Sequence, residues 1–284
     1  MVSAPTAEVL PTVYLSHGGG PCFFMEWTLG PPDTWERMRA FLEHFGRVFA
    51  DVRALLVVSA HWEAPAVAVQ TNPHPKLRYD DYGFPPHTYR LTWPAPAATD
   101  VAARALELLR GAGIRAASDP HRDFDHGVFV PLKVAFPDAR IPVCQVSLHG
   151  TLDPAEHLAL GAALAPLRRE GVLVVGSEMS FHNMRAFMGG PEVRAASARF
   201  DAWLEDACTA SASERNARLV AWTSAPFARF AHPREEHLLP LHVVAGTAGD
   251  DPGHLVFRDE VMGATVSAFA FGEGSRIARL GGAG

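Results

Sequence analysis

Fourteen histidines stand beside only four tyrosines in this 284-residue chain. Imidazole is the commonest protein metal ligand and titrates near neutrality, so histidine placement is the first pointer to chemistry. His17 follows the apolar run "VYLS", His61 follows "LLVVSA", His149 follows "PVCQVSL" and His182 follows "VLVVGSEMSF". "DFDHGVFVPL" adds His126, and "AHPREEHLLPLH" adds His232, His237 and His242. A lone histidine after a strand is more often a loop residue than a ligand. Four at strand ends weigh more, because ligands of open α/β sheets sit outside the carboxyl ends of the strands. The set is large enough for a metal centre plus acid–base groups. His44, His74, His87, His121, His157 and His254 read as solvated or loop residues. His242 reads as structural, because five residues on a helix turn it away from His237.

The stretch "SHGGGP" raises a phosphate loop as an alternative. It lacks the lysine and Ser/Thr of a P-loop, and Pro21 removes one amide donor. "HGGG" also suits the oxyanion loop of esterases, but no G-x-S-x-G elbow accompanies it. No C-x-x-C pair exists, which disfavours a structural zinc cluster. Gly18 to Gly20 then read as a backbone turn that leaves room beside His17.

The elements that must position these residues alternate. Strands are expected at Val13–Leu15, Leu55–Ser59, Val67–Gln70, Ile141–Ser147 and Val172–Val175. Asp33, with Glu36 as a capping box, opens a helix whose apolar face is Trp35, Met38, Phe41, Leu42 and Phe45. Thr99 opens a second helix; Asp153-Pro154 opens a third that Gly171 closes. Helices are also expected at Glu192–Ala210 and Glu214–Thr223, and from Arg234 to Ala245 with a kink or late start at Pro240. Leu255–Phe271 reads as a terminal pair of strands. This alternation predicts an α/β fold: a single layered domain over 1–284, with a central mixed β-sheet flanked by helices. About 1–12 and 281–284 are expected to be flexible.

Apolar residues make up 48% of the chain, charged residues 20%, and the net charge is −6. Nothing basic marks a nucleic-acid partner, and no apolar run approaches a membrane span. The start lacks a signal-peptide pattern, and Cys22, Cys144 and Cys208 read as reduced thiols. A cytoplasmic protein is expected, with a homodimer as the default assembly.

"SHGGGP", "VVSAHWE", "YDDYGFPPHTYRLTWPAP", "DHGVFVPL", "GSEMSFHNMR" and "HPREEHLLPLHVVAG" occur in one order. In that order the chain resembles the LigB-like class III extradiol ring-cleavage dioxygenases, and most closely their DOPA-dioxygenase branch. The resemblance runs from about residue 13 to 270. It implies a non-haem Fe(II) site, with Zn(II) as the alternative ion, and a small catechol and O2 as substrates. It implies His17, His61 and His237 as metal ligands, with Glu235 or Glu236 as alternatives to His237. It implies His182 as the acid–base residue, His126 as a contact to substrate or oxygen, and His232 as a second-layer or substrate contact. Trp27, Trp62, Phe129 and Tyr82 are expected to wall the ring pocket. "GSEMSFHN" departs from the family, where many relatives carry smaller residues between Gly176 and His182. The competing readings are a zinc-dependent hydrolase using the same three histidines and a non-catalytic metal-binding relative.

Overall fold

Strands buried on both faces read as unbroken apolar runs, and the middle of this chain's sheet is built of them. In the computed structural model, which describes residues 8–282, eight strands form one sheet. They are β1 (Thr12–Leu15), β2 (Ala54–Ala64), β3 (Val67–Gln70), β4 (Ala116–Asp119), β5 (Val143–His149), β6 (Val172–Ser177), β7 (Gly253–Val261) and β8 (Ala264–Phe271). Their order is β4-β3-β5-β2-β6-β1-β8-β7. The four central strands, β5, β2, β6 and β1, run parallel, so their carboxyl ends share one edge. β8 is antiparallel to β1, and β3 antiparallel to β5, which makes the sheet mixed, as expected.

The helices described are α1 (Glu36–Val48), α2 (Thr99–Gly111), α3 (His126–Ala135), α4 (Pro154–Leu164), α5 (Pro191–Thr209), α6 (Ala212–Val220), α7 (Ala228–Ala231), α8 (Leu239–Ala248) and α9 (Ser275–Gly281). None is long and apolar enough to cross a membrane. Asp153 caps α4 by accepting from the amides of Ala155 and Glu156. Gly171, at φ +75°, ends the short helical stretch that follows α4. Pro240 falls in the first turn of α8, so the sequence signal there resolves as a late start and not a kink.

Three expectations need correction. Asp33 does not cap α1: the helix begins after Trp35 with no side-chain cap. The short helix α3 is missing from the sequence reading, because Pro131 and an apolar face all round mask its period. Residues 10–12, within the stretch expected to be flexible, are buried. Leu10 is buried, donates its amide to the Arg168 carbonyl, and accepts from Arg168 Nε at 2.7 Å. Gly281 closes α9, while 1–7 and 283–284 lie outside the described residues.

α4 and α8 approach each other through glycines on one side of the sheet. A Cβ on Gly161 would sit 2.0 Å from the Val243 carbonyl oxygen, and one on Gly246 would sit 2.1 Å from that of Leu158. α8 in turn lies on β6, where a Cβ on Gly176 would meet the Pro240 carbonyl at 2.5 Å. This contact fixes the height of the loop before α8, which carries His237. Gly161→Val should therefore force the two helices apart and lower stability by about 1–3 kcal/mol. The urea midpoint measures it, and an unchanged midpoint would contradict the close packing.

Candidate functional site

Strand register explains why three side chains meet. Leu15 of β1 and Ser59 of β2 both lie level with Ser177 of β6, the strand between them. Two residues further along β1 and β2 come His17 and His61; one residue beyond Ser177 comes Glu178. Side chains two apart along an extended chain share a face, so both imidazoles are delivered together at the carboxyl edge. β2 carries an irregularity in its pairing with β5 between Val58 and Glu63, around His61. Such bulges re-aim side chains next to sites.

Glu178 is fully buried, and its carboxylate is the centre of the cluster. Oε1 is 3.6 Å from His17 Nε2; Oε2 is 3.2 Å from His61 Nε2 and 2.8 Å from His237 Nδ1. His182 stacks on His237 with ring centroids 3.4 Å apart. His126, at the start of α3, lies 3.8 Å from the His61 ring and 5.5 Å from that of His17. The donor atoms of His17, His61 and His126 lie within 4.8 Å of one another, as do those of Glu178, His182 and His237.

Neighbours hold these rings. Ser177 Oγ donates its one proton to the Gly127 carbonyl, so it accepts from His17 Nδ1–H at 3.1 Å. That tautomer leaves the lone pair of His17 on Nε2, facing Glu178. His126 donates Nδ1–H to Asp80 at 2.9 Å, and its backbone amide donates to the same oxygen. Beneath His61 lies buried Asp125, which accepts from Ser59 Oγ, Gln145 Nε2 and Arg122. Ser59 Oγ accepts the His61 amide, and Arg122 donates to the His61 carbonyl. Residue 127 must be glycine in this packing: a Cβ there would meet Ser59 Oγ at 2.4 Å and the His61 ring at 2.9 Å.

Burial lowers the imidazoles of His17 to about 3 and of His182 to about 4, so both are neutral donors at pH 7. Burial also pulls His61 down, but the charges of Glu178, Asp125 and Asp80 outweigh it and lift the ring to about 9. Burial opposes the charge on Glu178, yet His237, His17 and His61 hold its carboxyl well below the usual range. Burial likewise disfavours ionised Asp80, and the His126 hydrogen bond outweighs it, leaving about 2.

The residues fit a divalent metal. Among the described residues, no hydrogen bond satisfies the buried His61 Nε2. The lone pair of His17 Nε2 faces a carboxylate with no proton between them, a repulsive arrangement that a cation turns into two bonds. Imidazole and carboxylate together are donors suited to first-row divalent ions.

The cluster gathers His17, His61, His126, His182 and His237. His149 ends β5 but pairs with Thr151 Oγ1 at 2.8 Å and with Glu156, away from the cluster. His157, expected at the surface, is fully buried: it accepts the His149 amide on Nε2 and donates Nδ1–H to the Asp153 carbonyl. His242 is buried and structural, bonded to the Leu219 carbonyl at 2.8 Å. His232 needs correction as a substrate contact. It is fully buried between Phe200 and Trp222 and donates to the Ser180 carbonyl at 2.8 Å. Tyr82 also needs correction, because it is 90% exposed and walls nothing. Trp27 packs edge-on against Trp35, Phe129 against Tyr79, and Trp62 lies under Arg122. A groove of about 500 Å³ opens beside His182 and His237, lined instead by Asn183, Met184, Arg185, Pro233, Arg234 and Glu236. Gly18 and Gly20 do turn the chain, at φ +83° and +54°. The room expected there is taken by Cys22 and Phe84, each 2.5 Å from a would-be Cβ. Glu235 turns to Arg229, and Glu236 pairs with Arg234 at 3.1 Å and with His237 Nε2 at 3.3 Å. Sequence reasoning missed Glu178; its one signal was a charged residue directly after an apolar strand.

These shifts set a pH dependence for the metal-free protein. His17, His182, His232 and His157 have lowered folded values, so stability falls in acid below about 6.5 as the unfolded chain takes up protons first. His61 has a raised value, so its contribution is complete below 6.5 and is lost as pH rises through about 9. The urea stability measured in chelator should peak near pH 6.5 and drop on the alkaline side by roughly 3 kcal/mol at most. A flat profile from pH 6.5 to 9 would contradict the His61–Glu178 coupling.

The model of the catalytic LigB subunit of aromatic ring-opening dioxygenase matches residues 11–270. A protein of Beta vulgaris named 4,5-DOPA dioxygenase extradiol is 41% identical over 204 residues, covering 70% of this chain and 74% of its own. The dioxygenase tasH of Hapsidospora irregularis is 34% identical over 283 residues, covering 92% of this chain and 85% of its own. Among solved structures, an uncharacterized protein of Escherichia coli K12 superposes with a TM-score of 0.73 at 27% identity, covering 92% of this chain and 99% of that one. The strand-edge histidines and the match across the sheet agree: this chain belongs to the LigB family and is an extradiol aromatic ring-opening dioxygenase.

Proposed function

We propose that this chain acts as one catalytic domain that opens the ring of a catechol, DOPA-like or a related substituted catechol, with O2 and Fe(II). The observation that carries the reading is that His17, His61 and His237 all approach the buried carboxylate of Glu178. Relatives named 4,5-DOPA dioxygenase extradiol support the substrate class.

His17 and His61 offer Nε2 to the ion, and His237 completes the set from the loop before α8. The chemistry Fe(II) supplies there is Lewis acidity toward the diol hydroxyls and an electron path between ring and O2. The surrounding residues manage protons. His182 is neutral, half-buried and at the groove, so its lone pair can accept a hydroxyl proton from the diol. Once protonated it can return that proton to oxygen later in the cycle. His126 has its Nδ1–H tied to Asp80, which fixes Nε2 as the free nitrogen for a hydrogen bond to substrate or oxygen. Its ring lies against that of His61, so it would stand beside an ion held there.

Two variants separate holding the ion from moving protons. His17→Ala should lose the metal, measured as iron per chain after anaerobic reconstitution. His182→Ala should keep the iron and lose about 100-fold or more in kcat. Equal iron content in both would overturn this division. Reconstituted enzyme given a catechol should consume oxygen in proportion to a yellow ring-opened product. Iron-loaded enzyme that consumes no oxygen with any catechol tested, while zinc-loaded enzyme hydrolyses an ester or amide, would replace this reading with the hydrolase.

A further inference from the structure

The mechanism above leaves one group in the cluster without a task. Glu178 has no exposed surface, and no arginine or lysine pairs with it among the described residues. A buried carboxylate is costly unless positive charge balances it, from protons on its imidazoles or from a cation. The family resemblance supplies no carboxylate at this position.

We propose that Glu178 is a direct ligand of the metal, the anionic member of a donor set shared with His17, His61 and His237. The inference rests on the metal centre proposed above and adds a fourth protein donor to it.

Three observations carry it. The first is spacing. Donors bound to one ion at about 2.1 Å lie roughly 3.0–3.4 Å apart at octahedral to tetrahedral angles. The Glu178 oxygens lie 3.6, 3.2 and 2.8 Å from nitrogens of His17, His61 and His237, bracketing that range. The second is direction. A carboxylate that only orients a ligand histidine binds the ring nitrogen turned away from the metal. On His17 that outer nitrogen, Nδ1, is already held by Ser177. Glu178 instead meets Nε2, the nitrogen left free for the ion. The outer role is filled on His237 by Glu236, 3.3 Å from Nε2, while Glu178 meets Nδ1. The third is support. Glu178 Oε1 accepts the Met179 amide at 2.8 Å, and the Glu178 amide donates to the Leu15 carbonyl, so its backbone is tied to β1 beside His17.

The consequence is electrostatic. A dipositive ion with this ligand carries one net positive charge at the site, and its donor set becomes the mixed imidazole–carboxylate kind used for open Fe(II) sites.

The test uses the full chain stripped of metal and titrated with Co(II), with a chromophoric chelator as competitor. Glu178→Gln keeps the shape of the side chain and removes its charge; Glu178→Ala removes the donor. Both should weaken Co(II) binding by more than about 100-fold, beyond the roughly 10–100-fold that outer-layer changes cost. Both should also shift the visible d–d bands of bound Co(II), because a ligand has been lost. Unchanged Co(II) bands with less than about a 100-fold loss would overturn the proposal and leave the three-histidine centre standing. Failure of the parent chain to bind Co(II), or retention of Co(II) by His17→Ala, would instead overturn the centre itself.

Discussion

A carboxylate held out of water, whose only side-chain partners among the described residues are imidazoles, makes the site what it is. Glu178 has no exposed surface, and its charge must be balanced inside the protein. In the metal-free chain the balance falls on protons, chiefly the one that stays on His61 up to about pH 9. Protons and divalent ions compete for the same donors. The folded chain is thus built around a position for positive charge, and the lone pair of His17 Nε2 is aimed there by a serine whose proton is spent on the Gly127 carbonyl.

That position exists because of sheet topology. β6 runs between β1 and β2 and parallel to both, so the ends of three strands open on one edge. Two of them bring imidazoles and the middle one brings the carboxylate. α8 lies close on β6 through Gly176 and Pro240, and this contact brings the loop carrying His237 over the same edge. The close helix pair α4–α8 thus stands next to the strand that carries the site through the Gly176–Pro240 contact.

Around the donors lies a layer whose work is tautomer and position. Asp80 fixes His126, Ser177 fixes His17, and the buried Asp125 network holds the backbone of His61 from both sides. These residues come from β2, β5, β6 and loops far apart in the chain. Rings restrained in this way keep their lone pairs directed without an ion present, which lowers the reorganisation needed when one binds. His182 differs from the others. It rests on the His237 ring at the groove with its side chain free of any fixed partner among the described residues, as a proton-accepting group requires.

Much of this was legible in the sequence, because strand-forming runs and the residues at their ends are local signals. Apolar runs ending in His17 and His61 pointed to the sheet and to the edge where the histidines gather, and the motif around His237 pointed to another imidazole beside them. Local signals also misled. His149 ends a parallel strand as His17 nearly does, yet β5 is one strand further out and its histidine turns to Glu156. His232 sits in a histidine-rich motif, yet it is a core residue under Ser180. The aromatics near the proposed site fill the packing behind it, since large apolar rings gain most by burial. Glu178 could not be found this way. A lone glutamate after a strand carries no spacing signal, and its meaning appears only when β1 and β2 flank β6 in register. The chain by itself determined which residues can donate to a metal and which segments deliver them. Only the tertiary structure decided which of them meet, because convergence depends on strand order and register between segments more than 100 residues apart.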